Sequence, residues 1–184
     1  MTGQIADVYE YNGNRYNIVA IKGTMNFDIH ELGFDPVPIH TACWRGYHCI
    51  YNVTEEGLFL KDLFVNDKNR SYPPVNGVEP EEDRFDGKVY YGINIPVKFD
   101  GGIIIGNDFL TRYYIHMGFQ RVYAYKTVYE LIFKEGLITK KTDLSKEAAL
   151  IRTEIDEKGI DRANISKFVQ ESFSLDYEDK WTVY

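Results

Sequence analysis

Residues 88–99 carry the sequence KVYYGINIPVKF, in which apolar side chains alternate with mostly polar ones. Successive side chains of a β-strand point to opposite faces, so this alternation predicts one long strand. The residues expected to face inward are Val89, Tyr91, Ile93 and Ile95, continued by Val97 and Phe99. Pro96 has no N–H to donate, which places the strand near a sheet edge or a bulge. The fold is therefore expected to contain a β-sheet built around this segment.

Two hairpins are predicted on the N-terminal side of this strand. Residues 7–11 and 15–22 flank Asn12-Gly13, a dipeptide that favours the positive φ angles of a tight turn. Residues 47–53 and 58–65 are rich in aromatic and branched side chains and flank a turn that contains Gly57. Both hairpins are expected to join the same antiparallel sheet.

Helices are predicted in the C-terminal half. Leu110, Tyr113, Tyr114 and Met117 recur at helical spacing, which predicts a helix over residues 107–118. Residues 126–135 show similar spacing before Gly136, although their branched and aromatic content leaves a strand open. A closing strand is expected at residues 137–141.

The C-terminal residues 143–184 are predicted to form a helical extension. Residues 143–159 place Leu144, Ala148, Ile151 and Ile155 on one stripe, and a second helix is expected from 161 to about 173. The predicted fold class is α+β: an antiparallel twisted sheet or partly closed barrel flanked by helices, with a C-terminal helical hairpin. We expect one domain over residues 1–184, on which residues 143–184 pack as the extension.

Composition restricts the partners. The chain has 184 residues, a formal net charge of −7 and a sequence pI near 5.1. Binding to nucleic acid or to an anionic membrane depends on clustered Lys and Arg, so neither is an expected partner. The N-terminal residues show neither the basic region nor the long apolar region of a secretory signal. We expect a cytoplasmic protein, of unknown oligomeric state, that contacts a protein partner or a small polar ligand.

The two cysteines are expected to be free thiols. On one extended strand Cys43 and Cys49 would lie about 20 Å apart, too far for a disulfide unless the chain folds back at Gly46. A reducing compartment also favours free thiols.

No motif predicts a cofactor or a known catalytic mechanism. The glycines at 101, 102 and 106 do not form a dinucleotide-binding pattern, and no Lys-Ser or Lys-Thr follows them as in a P-loop. The serines lack the Gly-x-Ser-x-Gly context of a nucleophile elbow. We therefore expect neither a cofactor nor an assigned catalytic residue.

Residues 40–49 hold the densest cluster of polar and aromatic side chains. Their His and Cys residues are of the types that bind zinc, but the spacing matches no tetrahedral zinc pattern, so we predict no metal site. A Cys43 nucleophile activated by a distant histidine such as His116 remains an alternative.

Arg45 and the segment near His116 are the other candidates for a site. Arg45, beside Trp44, could bind a carboxylate or phosphate, or it could be a structural Arg stacked on Trp44 and paired with an acidic loop. His116 suits a helix C-terminus, and Gln120 is either a ligand contact or a loop amide. We predict a ligand-binding pocket formed by Cys43, Trp44, Arg45, His116 and Gln120.

Three runs are similar to a family of uncharacterised bacterial proteins: residues 41–46 (TACWRG), 72–78 (YPPVNGV) and 116–120 (HMGFQ). The resemblance covers about residues 1–145. It implies a bacterial cytosolic protein and brings no activity, cofactor or catalytic residue.

These observations leave the function unassigned but rank two hypotheses. The first is a non-enzymatic binding or accessory protein, favoured because no acid–base or nucleophile constellation is recognisable. The alternative is a small enzyme that uses Cys43 or His116.

Overall fold

Ten strands form one mixed sheet in the computed structural model of the protein, which describes residues 2–85, 87–159, 169 and 171–181. The strands are β1 (Val8–Tyr11), β2 (Asn14–Asn26), β3 (Tyr47–Thr54), β4 (Gly57–Val65), β5 (Glu81–Asp83), β6 (Gly87–Tyr90), β7 (Ile95–Pro96), β8 (Lys98–Phe109), β9 (Tyr125–Lys134) and β10 (Leu137–Asp143). Their order is β10-β9-β8-β2-β1-β3-β4-β6-β5, and β7 also pairs with β4. Only β1 and β3 run parallel among these pairs.

The two N-terminal hairpins are confirmed. Asn12 and Gly13 have φ angles of 48° and 75°, as the predicted tight turn between β1 and β2 requires. The second hairpin joins β3 to β4 and pairs Thr54 with Gly57 across its turn. The closing strand predicted at 137–141 is also present, as β10.

The predicted α+β class is wrong, because the protein is mostly β and the sheet is not flanked by the two predicted helices. Residues 126–135 lie almost entirely in β9, which pairs with β8 and β10. Residues 107–109 finish β8, and only a short 3₁₀ turn at Thr111–Tyr113 follows within the predicted helix 107–118. The described residues likewise do not show a C-terminal helical hairpin: they contain one complete α-helix, at Ser145–Lys158, and most of the second predicted helix falls outside them.

The prediction of one strand over residues 88–99 is also wrong. The segment contributes to β6, β7 and the start of β8, and it bends where Gly92 and Asn94 adopt φ angles of 70° and 47°. The bend changes which side chains face inward: Tyr90 is buried, whereas Tyr91 is 49% exposed. Ile93 remains buried.

The main core lies on the inner face of the sheet. Alternate residues of strands far apart in the sheet order, such as Leu60 on β4 and Phe133 on β9, belong to one buried apolar cluster. The sheet therefore curls around this cluster. A smaller cluster on the outer face includes Val19, Ile104 and Val128, together with Ala148 of the helix α1 (Ser145–Lys158).

The helix α1 (Ser145–Lys158) confirms the first helix of the predicted extension. The second, expected at 161–173, falls largely outside the described residues. Residues 171–181 pack on the sheet: Phe119 N donates to Ser172 O at 2.7 Å, and Ile21 N donates to Leu175 O at 2.7 Å. Gly118, with a φ of 68°, permits this contact because a side chain there would collide with the Ser172 carbonyl.

No helix among the described residues is long and apolar enough to cross a membrane.

Candidate functional site

A groove of about 440 Å³, which we call the aromatic groove, lies on the outer face of the sheet. The floor of the groove consists of residues that are paired across adjacent strands. Val8 pairs with Asn17 and with Ile50, and His48 pairs with Phe64. The side chains that alternate with these residues along the strands pack in the main core on the inner face of the sheet. The lining residues are Gly3, Gln4, Ile5, Ala6, Val8, Asn17, His48, Ile50, Phe64, Phe109, Tyr114, Gln120 and Tyr125.

One wall of the aromatic groove is a stack of rings on β3 and β4. The His48 imidazole lies flat on Phe64, with ring centroids 4.4 Å apart and an interplanar angle of 12°. Tyr91 meets Phe64 edge-on at 6.0 Å. Such contacts fix the orientation of the rings, so this wall offers a preformed flat surface.

The opposite wall is a chain of edge-to-face aromatic contacts. Phe109 contacts Tyr125 at 5.6 Å and Tyr114 at 6.2 Å, and Tyr114 contacts the ring of His116 at 4.8 Å. Phe109 is 41% exposed and Tyr114 is 39% exposed, so both present ring surface to solvent. Burial raises the pKa of Tyr125 to about 12.

Amide side chains supply the polar groups of the aromatic groove. Asn17 Nδ2 donates to the Tyr125 hydroxyl at 3.4 Å. Gln120 accepts from Ile115 N at 2.9 Å and donates to Ile115 O at 2.8 Å, so its amide holds the 115–120 loop closed. Gly3 allows the N-terminal segment to approach, because a Cβ there would lie 2.8 Å from the Tyr114 hydroxyl. None of the described lining residues is Asp, Glu, Lys or Arg.

Arg45 is engaged within the protein. Its Nη1 and Nη2 donate to the two carboxylate oxygens of Asp7 at 3.0 and 2.7 Å, and Asp7 also accepts from Cys49 N at 2.9 Å. Burial lowers the pKa of Arg45, but the Asp7 carboxylate outweighs burial and raises it above its usual value. The guanidinium lies over the ring of Tyr47 at 4.9 Å, and Trp44 is exposed. Arg45 is therefore paired within the protein, but with Asp7 and Tyr47 and not with the Trp44 ring and acidic loop of the structural alternative.

Both cysteines are free thiols, as predicted, and both are buried. Cys43 Sγ donates to Tyr47 O at 3.4 Å. Burial, followed by the nearby Asp7 carboxylate, raises the pKa of Cys49 well above its usual value. The Cys49 thiol is consequently a poor nucleophile at neutral pH.

The five predicted site residues are distributed over neighbouring features. Gln120 lines the aromatic groove and His116 contacts its Tyr114. Trp44 and Arg45 line a second cavity, and Gln4 lines both. Cys43 lies buried beside Trp44 in the chain. A shared ligand-binding role for these five residues stays a prediction.

Several residues of the aromatic groove were not predicted as site residues. Phe64 lay in a predicted strand, where an aromatic residue is ordinary, and Phe109 lay in a predicted helix. Gln4 and Asn17 carry no motif. The single available signal was His48, which belongs to the dense cluster of polar and aromatic residues at 40–49. Among the described residues no group of three or more His, Cys, Asp or Glu side chains is arranged to hold a metal ion.

No family model, curated protein or solved structure matches the chain. The resemblance to uncharacterised bacterial proteins therefore stays a prediction.

Proposed function

We propose that this protein is a non-catalytic binding protein whose aromatic groove holds a small, neutral, polar ligand with a flat apolar face. The observation that carries the proposal is the composition of the lining: fixed aromatic rings and amide side chains, without a charged side chain among the described lining residues. Rings offer apolar surface for stacking, and each amide, besides its bonds within the protein, retains by valence a second N–H and an oxygen lone pair for a ligand. The volume of about 440 Å³ lies in the usual range of small-ligand sites.

The electrostatics of the lining support a neutral ligand. An anion is normally bound by Arg, Lys or a cluster of N–H donors. One candidate, Arg45, lines the neighbouring cavity and already makes a bidentate pair with Asp7. A net charge of −7 further disfavours anions.

The shape of the site favours a small ligand over a protein partner. A peptide that adds to a sheet needs an exposed strand edge. The strands that floor the aromatic groove, such as β2 and β3, are paired on both sides. A concave site on interior strands is suited instead to a compact ligand.

The burial of Cys43 supports binding over catalysis. A nucleophilic thiol must reach its substrate as a thiolate, whereas the Cys43 side chain is buried and donates its S–H to Tyr47 O. A cytoplasmic location is part of this proposal.

A thermal-shift screen of neutral compounds tests the proposal, because a ligand that binds only the folded protein raises the unfolding midpoint. The screen contains monosaccharides, nucleosides and neutral heterocycles, with sugar phosphates and nucleotides as the anionic counterparts. We expect a neutral compound to raise the midpoint and its phosphorylated form to do so less.

Two variants connect the shift to the aromatic groove. Phe109→Ala removes an exposed ring from its wall and should abolish the shift. Phe85→Ala removes a ring that is 64% exposed and does not line the groove, and it should leave the shift unchanged. A shift that survives Phe109→Ala, or a preference for the phosphorylated compounds, would refute the proposal.

A further inference from the structure

A second cavity of about 320 Å³ adjoins the aromatic groove. Its lining residues are Gln4, Trp44, Arg45, Phe119, Phe173 and Leu175. Trp44 is 60% exposed and Phe173 is 38% exposed, so two aromatic rings border the cavity and remain in contact with solvent. The second cavity thus repeats the character of the first: aromatic surface beside a side-chain amide.

Gln4 connects the two cavities. Its backbone N donates to Gly118 O at 2.8 Å, its Nε2 donates to Thr41 O at 2.9 Å, and its Oε1 accepts from Trp44 N at 3.0 Å. These bonds fix the side chain between the N-terminal segment and the Trp44 loop. Because the same residue lines both cavities, the two cavities adjoin at Gln4.

The exposure of Trp44 has no evident packing explanation. Its backbone N–H donates to Gln4 Oε1, but the indole is largely in solvent. A large exposed aromatic side chain beside a cavity is a typical feature of a recognition surface. Arg45 brings little net charge to the cavity, because its guanidinium is paired with Asp7.

We propose that the two cavities are consecutive subsites for an uncharged oligosaccharide, with Trp44 stacking on a sugar unit beyond the one held in the aromatic groove. This inference rests on the proposed function. A pyranose ring presents a face of C–H groups that stacks on aromatic rings, and hydroxyls around its edge that pair with amides. An uncharged oligosaccharide presents this combination of C–H face and hydroxyls at each sugar unit. The two cavities likewise each present aromatic rings beside a side-chain amide.

Other linear ligands fit the surface less well. Single-stranded nucleic acid would bring phosphates, which require free Lys or Arg side chains along the path. An extended peptide would need backbone partners, and the strands beneath the aromatic groove use theirs within the sheet. Both remain distinguishable outcomes of the experiment.

The two tryptophans of the chain, Trp44 and Trp181, make fluorescence a direct test. In a Trp181→Phe variant of the full chain, Trp44 is the sole tryptophan and reports the second cavity. The probes are glucose and the unbranched cello-oligosaccharides from two to six units, with the xylan and chitin series measured in parallel. Isothermal titration of each probe gives its affinity independently of fluorescence.

We expect one series to bind with an affinity that rises about tenfold when the chain becomes long enough to reach Trp44. The Trp44 emission should change only with those longer probes. Trp44→Ala should reduce the affinity of the long probes to that of the short ones and leave the short ones unaffected. Phe109→Ala should weaken probes of every length.

The outcomes separate this inference from the proposed function. Sugar binding that depends on Phe109 but neither grows with chain length nor alters Trp44 emission would overturn the second subsite and leave the aromatic groove standing. Binding of another neutral compound in the groove, with no sugar series bound, would overturn the oligosaccharide alone. Preferential binding of a single-stranded oligonucleotide or an extended peptide, titrated in the same way, would overturn both.

Discussion

The ion pair between Arg45 and Asp7 yields the sharpest prediction, because it tests whether Arg45 is a structural residue. The Asp7 side chain is only 9% exposed, and it accepts hydrogen bonds from Arg45 and from Cys49 N. Arg45→Ala removes two of these three hydrogen bonds, so that the buried Asp7 carboxylate keeps only the one from Cys49 N. Breaking a buried pair costs about 3 to 5 kcal/mol, and the 34% exposure of the Arg45 side chain reduces this to about 2 to 3 kcal/mol.

The free energy of unfolding measured in urea checks this value. Lys134→Ala is the matched control, since it breaks an ion pair with Asp100 whose side chains are 70% and 50% exposed, and it should cost less than about 0.5 kcal/mol. A double-mutant cycle with Asp7→Ala should give a coupling energy above about 1.5 kcal/mol. An Arg45→Ala variant as stable as the wild type, or a coupling energy near zero, would refute a structural role for Arg45.

Three further predictions concern buried groups and backbone contacts. The Cys49 thiol, whose pKa is raised chiefly by burial, should resist iodoacetamide at pH 8 in the native protein and react after denaturation, as measured by mass spectrometry. Burial lowers the pKa of Lys180 to about 7 in the folded protein, so above pH 7 the unfolded state binds more protons at this residue than the folded state does. The free energy of unfolding should therefore rise between pH 7 and 9. Lys180→Met should remove the part of this rise that Lys180 causes. Gly118→Ala should strain the backbone and displace Ser172, seen as faster hydrogen exchange at residues 171–181; unchanged exchange would contradict the predicted collision.

Local turn chemistry explains which strands could be predicted from the sequence. The Asn12-Gly13 turn fixes the register of β1 and β2, because few residues other than Asn and Gly adopt positive φ easily. The pairing of β1 with β3 has no comparable local signal, since it joins Val8 to Ile50 across a long intervening segment.

The predicted helix at 126–135 shows why periodicity alone was insufficient. The spacing of Val128, Tyr129 and Ile132 fits a helix, yet Tyr129, Leu131 and Phe133 also alternate as a strand does. The strand prevails because β9 pairs on both sides and places Leu131 and Phe133 in the main core. Tertiary pairing thus overrides a weak local preference.

At residues 88–99 the error had a different cause. The prediction requires the alternation to continue through Gly92 and Asn94, but both residues adopt positive φ angles. As a result, Tyr90 before them and Ile93 between them both face the main core, although they are an odd number of residues apart. The presence of Gly92 and Asn94, two residue types that favour turns, indicated that the strand could be interrupted there. The site was harder to predict, since the aromatic groove combines residues of six strands and two loops that share no motif.

The hydrogen bond from Ile21 N to Leu175 O sets an order on assembly during synthesis. Residue 175 leaves the ribosome long after residue 21, so the covering segment arrives when the strands beneath it have already been made. Phe173 and Leu175 form part of the cavity beside Trp44, whereas the aromatic groove contains no described lining residue beyond Tyr125. A growing chain can therefore complete the groove first and acquire the adjoining cavity only after residues 173–175 have been made.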